Sequence, residues 1–578
     1  MTERDYQVYL DGLVPLVIGV TGHRNLVPGE IPGIREIVRS FFLELKERFR
    51  DRPLQVFSAL AEGSDRLVAE VAVELNLRLV VPLPAPRLAY LEEFGSGASR
   101  REFERLCDYA EAVYELSSVP RNVSEQGSEL HNSRYAQLGV FICAHSHILL
   151  ALWDGKSSVE VGGTAEVVRF HHHDVMAGHV PSHHLERQLL EDDESDLVYH
   201  IVVSRDREDG APADGLDPLG RSWFTTDEAM PRSAEIPEKY SRIFDRTGEF
   251  NRHVRENRRR ILSESPSLID AAVSLPAGAR TIASYFCAAD WLASYFRRRT
   301  HVAIQLTHYL AFLMGMMFII YSDVTARGYF MAAFLFFFLM AYLAHRLAAR
   351  GQWQRKHLEY RALAEGLRVQ FYWAVSGVVS EDVTEYVHDG FLQKQDVDLG
   401  WIRNVMRVAG TGCDVSPNLD PRALSFSERA WVGDDRGGGQ VEYYGRKAAG
   451  YRNRSRCMER LGELTAIVIP VLLIAMVGTP SDRIRDLLLV PLGLCLLALS
   501  VRQSYAHRIA EREIIRQYEF MHRLFGSAQR RLKLATNDSD RRAILRVLGE
   551  SALEEHAEWV LLHRDRPLDH RSLWRMEA

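Results

Sequence analysis

Paired metal-ligand spacing is missing from this sequence. Its six cysteines, Cys107, Cys143, Cys287, Cys413, Cys457 and Cys495, are scattered over 578 residues. They read as buried thiols in a reducing compartment, and no metal is expected. A long run of one charge sign is missing too. The 71 Lys and Arg residues against 77 Asp and Glu leave a net charge of −6, so nucleic acid is not an expected partner. The first residues, MTERDYQVYL, lack a basic region followed by an apolar run, which predicts no cleaved signal peptide. His171, His172 and His173 invite a metal reading, but consecutive helical residues point in different directions and share no site.

What is present is a glycine-punctuated first third followed by four apolar segments in two tight pairs. The segments run over 302–321, 329–345, 464–478 and 487–501. Each is near or slightly under the roughly 20 residues that cross a hydrocarbon core. Tyr329–Ala344 has no polar face, which weakens the alternative of buried core helices; the second pair is shorter. The connections 322–328 and 478–486 are brief and predict antiparallel helical hairpins. Basic residues flank the outer ends. Arg297, Arg298 and Arg299 precede the first pair, and Arg346, Arg350, Arg355 and Lys356 follow it. Arg446 to Arg460 precede the second pair, and Arg502, Arg508 and Arg512 follow it. The positive-inside rule then predicts a multi-pass protein of the cytoplasmic (inner) membrane with both termini in the cytoplasm.

In the first third, short apolar runs alternate with helical patterns. Strands are expected at 14–20, 54–60, 79–83, 112–116, 147–153 and 197–204, with helices between them. That alternation predicts an α/β Rossmann-like domain, mostly parallel, with helices on both faces and its ligand edge at the carboxyl ends of the strands. Three polar, glycine-bearing loops gather there: Thr21, Gly22, His23 and Arg24; Glu62, Gly63, Ser64, Asp65 and Arg66; and Asp154 and Gly155 running on to Gly162, Gly163, Thr164 and Glu166. Glycines let backbone approach an anion, and a helix N-terminus after Gly162-Gly163-Thr164 favours phosphate. Arg24 adds a guanidinium for the same group. These residues are the candidate ligand site. Taken singly, each loop also reads as a plain turn, Glu62 and Arg66 as an ion pair, and His23 as a structural histidine.

The strings VIGVTGHR, SALAEGSDRLVAEVA, SHILLALWDG and GGTAEVV resemble the SLOG superfamily over about residues 10–205. That superfamily includes nucleotide phosphoribohydrolases and nucleotide-sensing modules of bacterial defence systems. The resemblance implies a nucleotide or nucleotide-derived ligand in the pocket lined by these loops. The hydrolase branch resembles P-G-G-x-G-T-x-x-E. Here Val167 sits where that glutamate falls, and Glu166 is one residue early, about 100° away around a helix. The shift favours binding over catalysis, so no catalytic residue and no cofactor is assigned, although Glu166, Glu62 and Asp154 remain as carboxylates.

YRALAEGLRVQFYW, VEYYGRKAAGYRNRSR and LGESALEEHAEWVLLHRDRP resemble SLATT domains, two-helix membrane modules of prokaryotic conflict systems. The domain plan expected from both resemblances is 1–205 SLOG-like, 206–280 linker and helical connector, 281–405 first SLATT-like module, 406–424 linker and 425–578 second SLATT-like module. The implied function is an oligomeric membrane effector, a homo-oligomer in the lipid bilayer, that responds to a nucleotide-derived signal. A membrane-anchored hydrolase of N-glycosidic bonds is the alternative.

Overall fold

The computed structural model describes residues 13–116, 128–158, 162–173, 196–227, 230–265, 268–269, 273–378, 391–392, 397–413, 420–434 and 437–564. The N-terminal reading at 1–12 and parts of the expected loop at 154–164 and linker at 406–424 lie outside them. The chain divides into two compact units, residues 1–288 with 363–423, and residues 289–362 with 424–578.

The first unit holds an eight-stranded mixed sheet. Its strands are β1 (Leu16–Gly22), β2 (Leu54–Phe57), β3 (Arg78–Leu83), β4 (Ala112–Glu115), β5 (Ile148–Trp153), β6 (Val198–Val202), β7 (Arg221–Phe224) and β8 (Arg232–Ser233). The order is β4-β3-β2-β1-β5-β6-β7-β8. The first six strands pair in parallel, and β7 and β8 add on antiparallel. All six strands expected from the apolar runs are present. Within the expected linker and connector 206–280, residues 221–224 and 232–233 instead supply β7 and the edge strand β8. The edge strand β8 is polar because an edge needs no continuous apolar run, whereas β7, paired on both sides, buries Trp223.

The chain winds from β1 outward through β2, β3 and β4, then returns to place β5 on the other side of β1. The switch point of this doubly wound sheet is therefore the β1–β5 seam, where ligands of such sheets bind. Alternate strand residues feed two cores, as the period of 2 requires. Val17, Phe57, Val80, Leu149, Ala151 and Val198 pack with Phe141 of α5 (Ser128–His145) and Val167 of α6 (Thr164–His173). Tyr199 belongs to the opposite set. It stacks at 4.2 Å on Phe41 of α1 (Ile31–Arg48), which buries Ile34, Val38, Phe41, Phe42 and Leu45 at helical spacing.

The crossover elements α2 (Ser64–Glu74), α3 (Arg87–Glu92) and α4 (Gly97–Tyr109) complete this half. Helix α7 (Glu238–Glu264) reaches back to the start of the sheet. Its Asn251 amide donates to the Val14 carbonyl and accepts from the Val14 N–H, each at 3.0 Å.

The second unit is helical. The boundary between units falls inside α8 (Ala277–Asp323) and again inside α10 (Trp353–Ser376), while α9 (Gly328–Arg350) lies wholly in the second. Helix α11 (Gly400–Gly410) belongs to the first unit. After the short α12 (Ala423–Ser427) come α13 (Gly439–Gly478), α14 (Asp482–Arg508), α15 (Glu511–Leu534) and α16 (Asp538–Arg564). Among the described residues four helices, those carrying the four apolar segments, are long and apolar enough to cross a membrane. Between 0% and 11% of each apolar window is buried.

The apolar stripes that follow each apolar pair at helical spacing are packing faces. Tyr360, Leu363, Leu367 and Phe371 are buried, and Tyr518 and Phe525 of α15 lie against Tyr451 and Tyr444 of α13. The cysteine reading needs one correction. All six are free, but Cys457 is exposed and only Cys107, Cys143 and Cys287 are fully buried. Cys457 lies in the basic, solvent-facing stretch of α13 that precedes the third apolar segment, where no core exists to cover it.

Candidate functional site

The three loops meet at the switch point, as their positions after β1, β2 and β5 require. His23 joins the first and third. Its N–H donates to the Leu152 carbonyl at 3.1 Å, and its Nε2 accepts from the Asp154 N–H at 3.1 Å. Burial lowers the His23 pKa against the pull of the Asp154 carboxylate, so the ring is neutral and accepting. Ser64 joins the first and second loops: its N–H and Oγ both donate to the His23 carbonyl, at 3.2 and 2.7 Å.

Two glycines permit this closeness. A Cβ on Gly22 would stand 2.5 Å from the Ser64 Cβ. Gly63 has φ +90, and a Cβ there would lie 2.1 Å from the Arg24 carbonyl oxygen. Both positions reject any side chain, and the second also rejects the L-residue backbone.

Several expected ligand residues spend their polar groups holding this edge together. Arg66 is buried. It donates to the Leu60 carbonyl at 2.9 Å and to Ser99 Oγ at 2.6 Å, pairs with Glu102 at 3.3 Å, and lies over the Phe94 ring. Glu62 accepts from the Ser99 hydroxyl rather than pairing with Arg66. Asp154 is buried, accepts from the Lys156 N–H at 3.1 Å and shapes its own turn. Gly155, at φ +78, continues that turn against Leu216. Thr21 is buried at the end of β1.

Glu166 is the clearest case. It is 2% exposed, accepts from the Gly162 N–H at 2.9 Å and pairs with Arg169 at 3.0 Å. Its carboxylate caps the helix that bears it, in the manner of a capping box. It is not aimed outward as a general base.

What remains for a ligand is Arg24, Asp65, the backbone around Gly63 and the start of α6. Arg24 is exposed, with its guanidinium 5.1 Å from the Tyr135 ring centroid. Tyr135 in turn donates to Glu93 at 2.7 Å, and burial pushes its hydroxyl up to about 12, so it stays a neutral donor. Asp65 is buried in the first turn of α2. Burial pushes its carboxyl up to about 7, against the opposing pull of Arg24 and the Ala61 N–H. Gly163 accepts from the Glu166 and Val167 N–H groups and opens α6. The N–H groups of Thr164 and Ala165, in the first helical turn, have no intrahelical acceptor.

Two helix N-termini, those of α2 and α6, thus sit at the switch point with a guanidinium. That is a setting for a phosphate. Gly162, at φ +79, is pressed against Tyr135 and Ala136, which brings α5 into the same edge.

Sequence reasoning missed Tyr135, Tyr90, Phe94, Ser99 and Glu93. They come from α3 and the turn after it, from α4 and from α5, and no local spacing marks them. Among the described residues no cluster of three His, Cys, Asp or Glu suits a metal. His171 faces the Leu197 carbonyl at 3.3 Å, which agrees with a structural role for that histidine. Compared with known proteins, the chain matches no protein-family model and no curated sequence.

Proposed function

We propose that this chain is a membrane effector of a prokaryotic conflict system, and that a nucleotide-derived signal bound at the β1–β5 switch point controls it. The observation that carries the proposal is the joining, in one polypeptide, of a phosphate-suited sheet edge and four helices apolar enough to cross a bilayer. The resemblance of the edge to SLOG and of the helices to SLATT modules supports the reading of a sensor fused to an effector. In it, the apolar pairs form two transmembrane hairpins with both chain ends in the cytoplasm. Signal binding shifts the first unit between two states, and oligomers of the second unit perturb or permeabilise the membrane. The signal must prefer one state by ~1–3 kcal/mol or more for that coupling to be useful. The engagement of Glu166 with Gly162 and Arg169 supports recognition without turnover.

The test uses the full chain in liposomes loaded with a self-quenched dye. ADP-ribose forms and cyclic nucleotides are added, with binding followed by calorimetry and the added compound followed by chromatography. The expected outcome is binding of one of these compounds intact, with dye release. Steady liberation of free base would replace this reading with that of a membrane-anchored hydrolase. Gly163→Asp should abolish binding while leaving insertion intact. The added carboxylate repels phosphate, yet Asp is favoured immediately before a helix.

A further inference from the structure

The first and fourth apolar helices run antiparallel at close approach, and the polar end of their contact is unusual in charge. A Cβ on Gly315 of α8 would meet the Leu497 side chain of α14 at 2.6 Å, and one on Gly493 of α14 would meet Ile319 at 3.2 Å. About two turns further on, Ser504 Oγ lies 3.4 Å from His308 Nε2. The Tyr505 ring then sits 5.4 Å from the His308 ring and 6.4 Å from the His301 ring.

Cations gather there. Arg297 and Arg454 both act electrostatically on His301, and Arg508 acts on His308. Arg502 reaches across to α13, where a Cβ on Gly462 would lie 2.9 Å from its Nη1. Among the described residues no carboxylate pairs with Arg297, Arg454, Arg502 or Arg508. The Nε of Arg502 and the hydroxyl of Tyr505 are buried without a hydrogen-bond partner.

A half-buried guanidinium without a counter-ion is expensive, and a buried donor without an acceptor adds to that penalty. Two such cations, Arg502 and Arg508, with the exposed Arg297 and Arg454 acting on the neighbouring histidines, call for an anion. The next face of α8, about 100° around the helix from His301 and His308, carries apolar Val302, Leu306 and Tyr309, which are 59%, 43% and 69% exposed. A ligand with an anionic head and a hydrocarbon body would satisfy both surfaces.

We propose that the α8–α13–α14 junction binds a phosphate-bearing anion, with Arg502, Tyr505 and Arg508 as its direct donors. The apolar flank favours the headgroup of an anionic phospholipid as its source. This site belongs to the second unit and is separate from the switch-point edge. It rests on the membrane reading only in its lipid source.

The test compares full-length protein in nanodiscs of phosphatidylcholine alone with nanodiscs that also contain phosphatidylglycerol, and native mass spectrometry counts retained anionic lipid. Wild type should retain phosphatidylglycerol selectively. Arg502→Gln/Arg508→Gln should reduce that retention at least five-fold, because each arginine near a membrane surface is worth about five-fold in binding anionic lipid. Arg502→Lys/Arg508→Lys, which keeps the charge, should recover part of it and show that the fold survives. Arg483→Gln/Arg485→Gln, in the first turn of α14, should change nothing.

A parallel arm adds inorganic phosphate in millimolar excess. Failure to displace the lipid supports the headgroup, whereas displacement by phosphate with the same arginine dependence assigns the site to a soluble anion. Equal retention by wild type and both double variants, with no phosphate binding, overturns the proposal. A wild-type chain that does not enter nanodiscs overturns the membrane reading instead, and the phosphate arm then still decides the anion site.

Discussion

Asp65 is the residue on which the chemistry of the switch point turns. It is buried beside Arg24, and its carboxyl titrates near 7 rather than near 4 because burial outweighs the neighbouring guanidinium. When protonated, it leaves Arg24 free to meet an anion; when ionised, it competes for Arg24 and repels a phosphate. Affinity for a phosphorylated ligand should therefore fall as pH rises from about 6 to about 8, and calorimetry across that range measures it. The stability consequence has a definite sign. A carboxyl whose folded pKa is raised binds more protons folded than unfolded. Stability is then highest below the unfolded value near 4 and declines until pH passes about 7. The shift corresponds to on the order of 4 kcal/mol. Asp65→Asn should remove that decline, so its melting temperature above pH 7 should exceed that of wild type. An unchanged slope would show that Asp65 is ionised throughout. Arg66, one residue on, makes the opposite case. Sequence puts both in one candidate loop, but only the fold shows that Arg66 is used up on Leu60, Ser99 and Glu102.

At the scale of elements, α11 docks at the end of the sheet opposite the switch point through polar contacts. His147 Nε2 donates to the Asn404 carbonyl at 3.0 Å, and its Nδ1 accepts from the Val17 N–H at 3.0 Å. His145 Nδ1 donates to the Arg407 carbonyl at 3.0 Å. Burial lowers both rings, His145 to about 4 and His147 well below its ordinary value. Buried neutral histidines bind fewer protons folded than unfolded. Their stabilising contribution is complete above about 6.5 and is lost as pH falls toward 4. Amide exchange in α11 should therefore accelerate below pH 6 before the strands open, and His147→Asn should blunt that response. Uniform protection of α11 down to pH 4.5 would contradict it. This contact also marks the limit of what the sequence discloses. The strands were legible because each is a short apolar run ending in a polar turn, and the loops followed from them. The docking of α11 was not, because its partners lie about 260 residues away in the chain and carry no shared pattern. Tyr135 was hidden for a related reason: it comes to the site through the Gly162 contact, which only the folded backbone creates.

At the scale of the molecule, the question is what holds four exposed apolar helices together. Val477, Ile474 and Leu487 are 89%, 73% and 71% exposed, which water does not tolerate as a contiguous surface. In hydrocarbon such faces are at rest, but burial of apolar area no longer drives helix to helix. Close approach at small residues has to do it. Gly315 and Gly493 provide this: each receives a side chain of the opposite helix, Leu497 and Ile319, and they lie about one helical turn apart along the contact. Gly315→Leu should force α8 and α14 apart. Two consequences are expected. Wild type and variant alike should stay in the pellet after alkaline carbonate extraction and dissolve only in detergent, because hydrophobicity is not reduced. The variant alone should lose a disulfide cross-link engineered across the contact at Ile319→Cys and Gly493→Cys. A wild-type chain that leaves the pellet with carbonate would refute membrane insertion. A cross-link that forms equally well in the variant would show that the glycine contact does not set the distance between these helices.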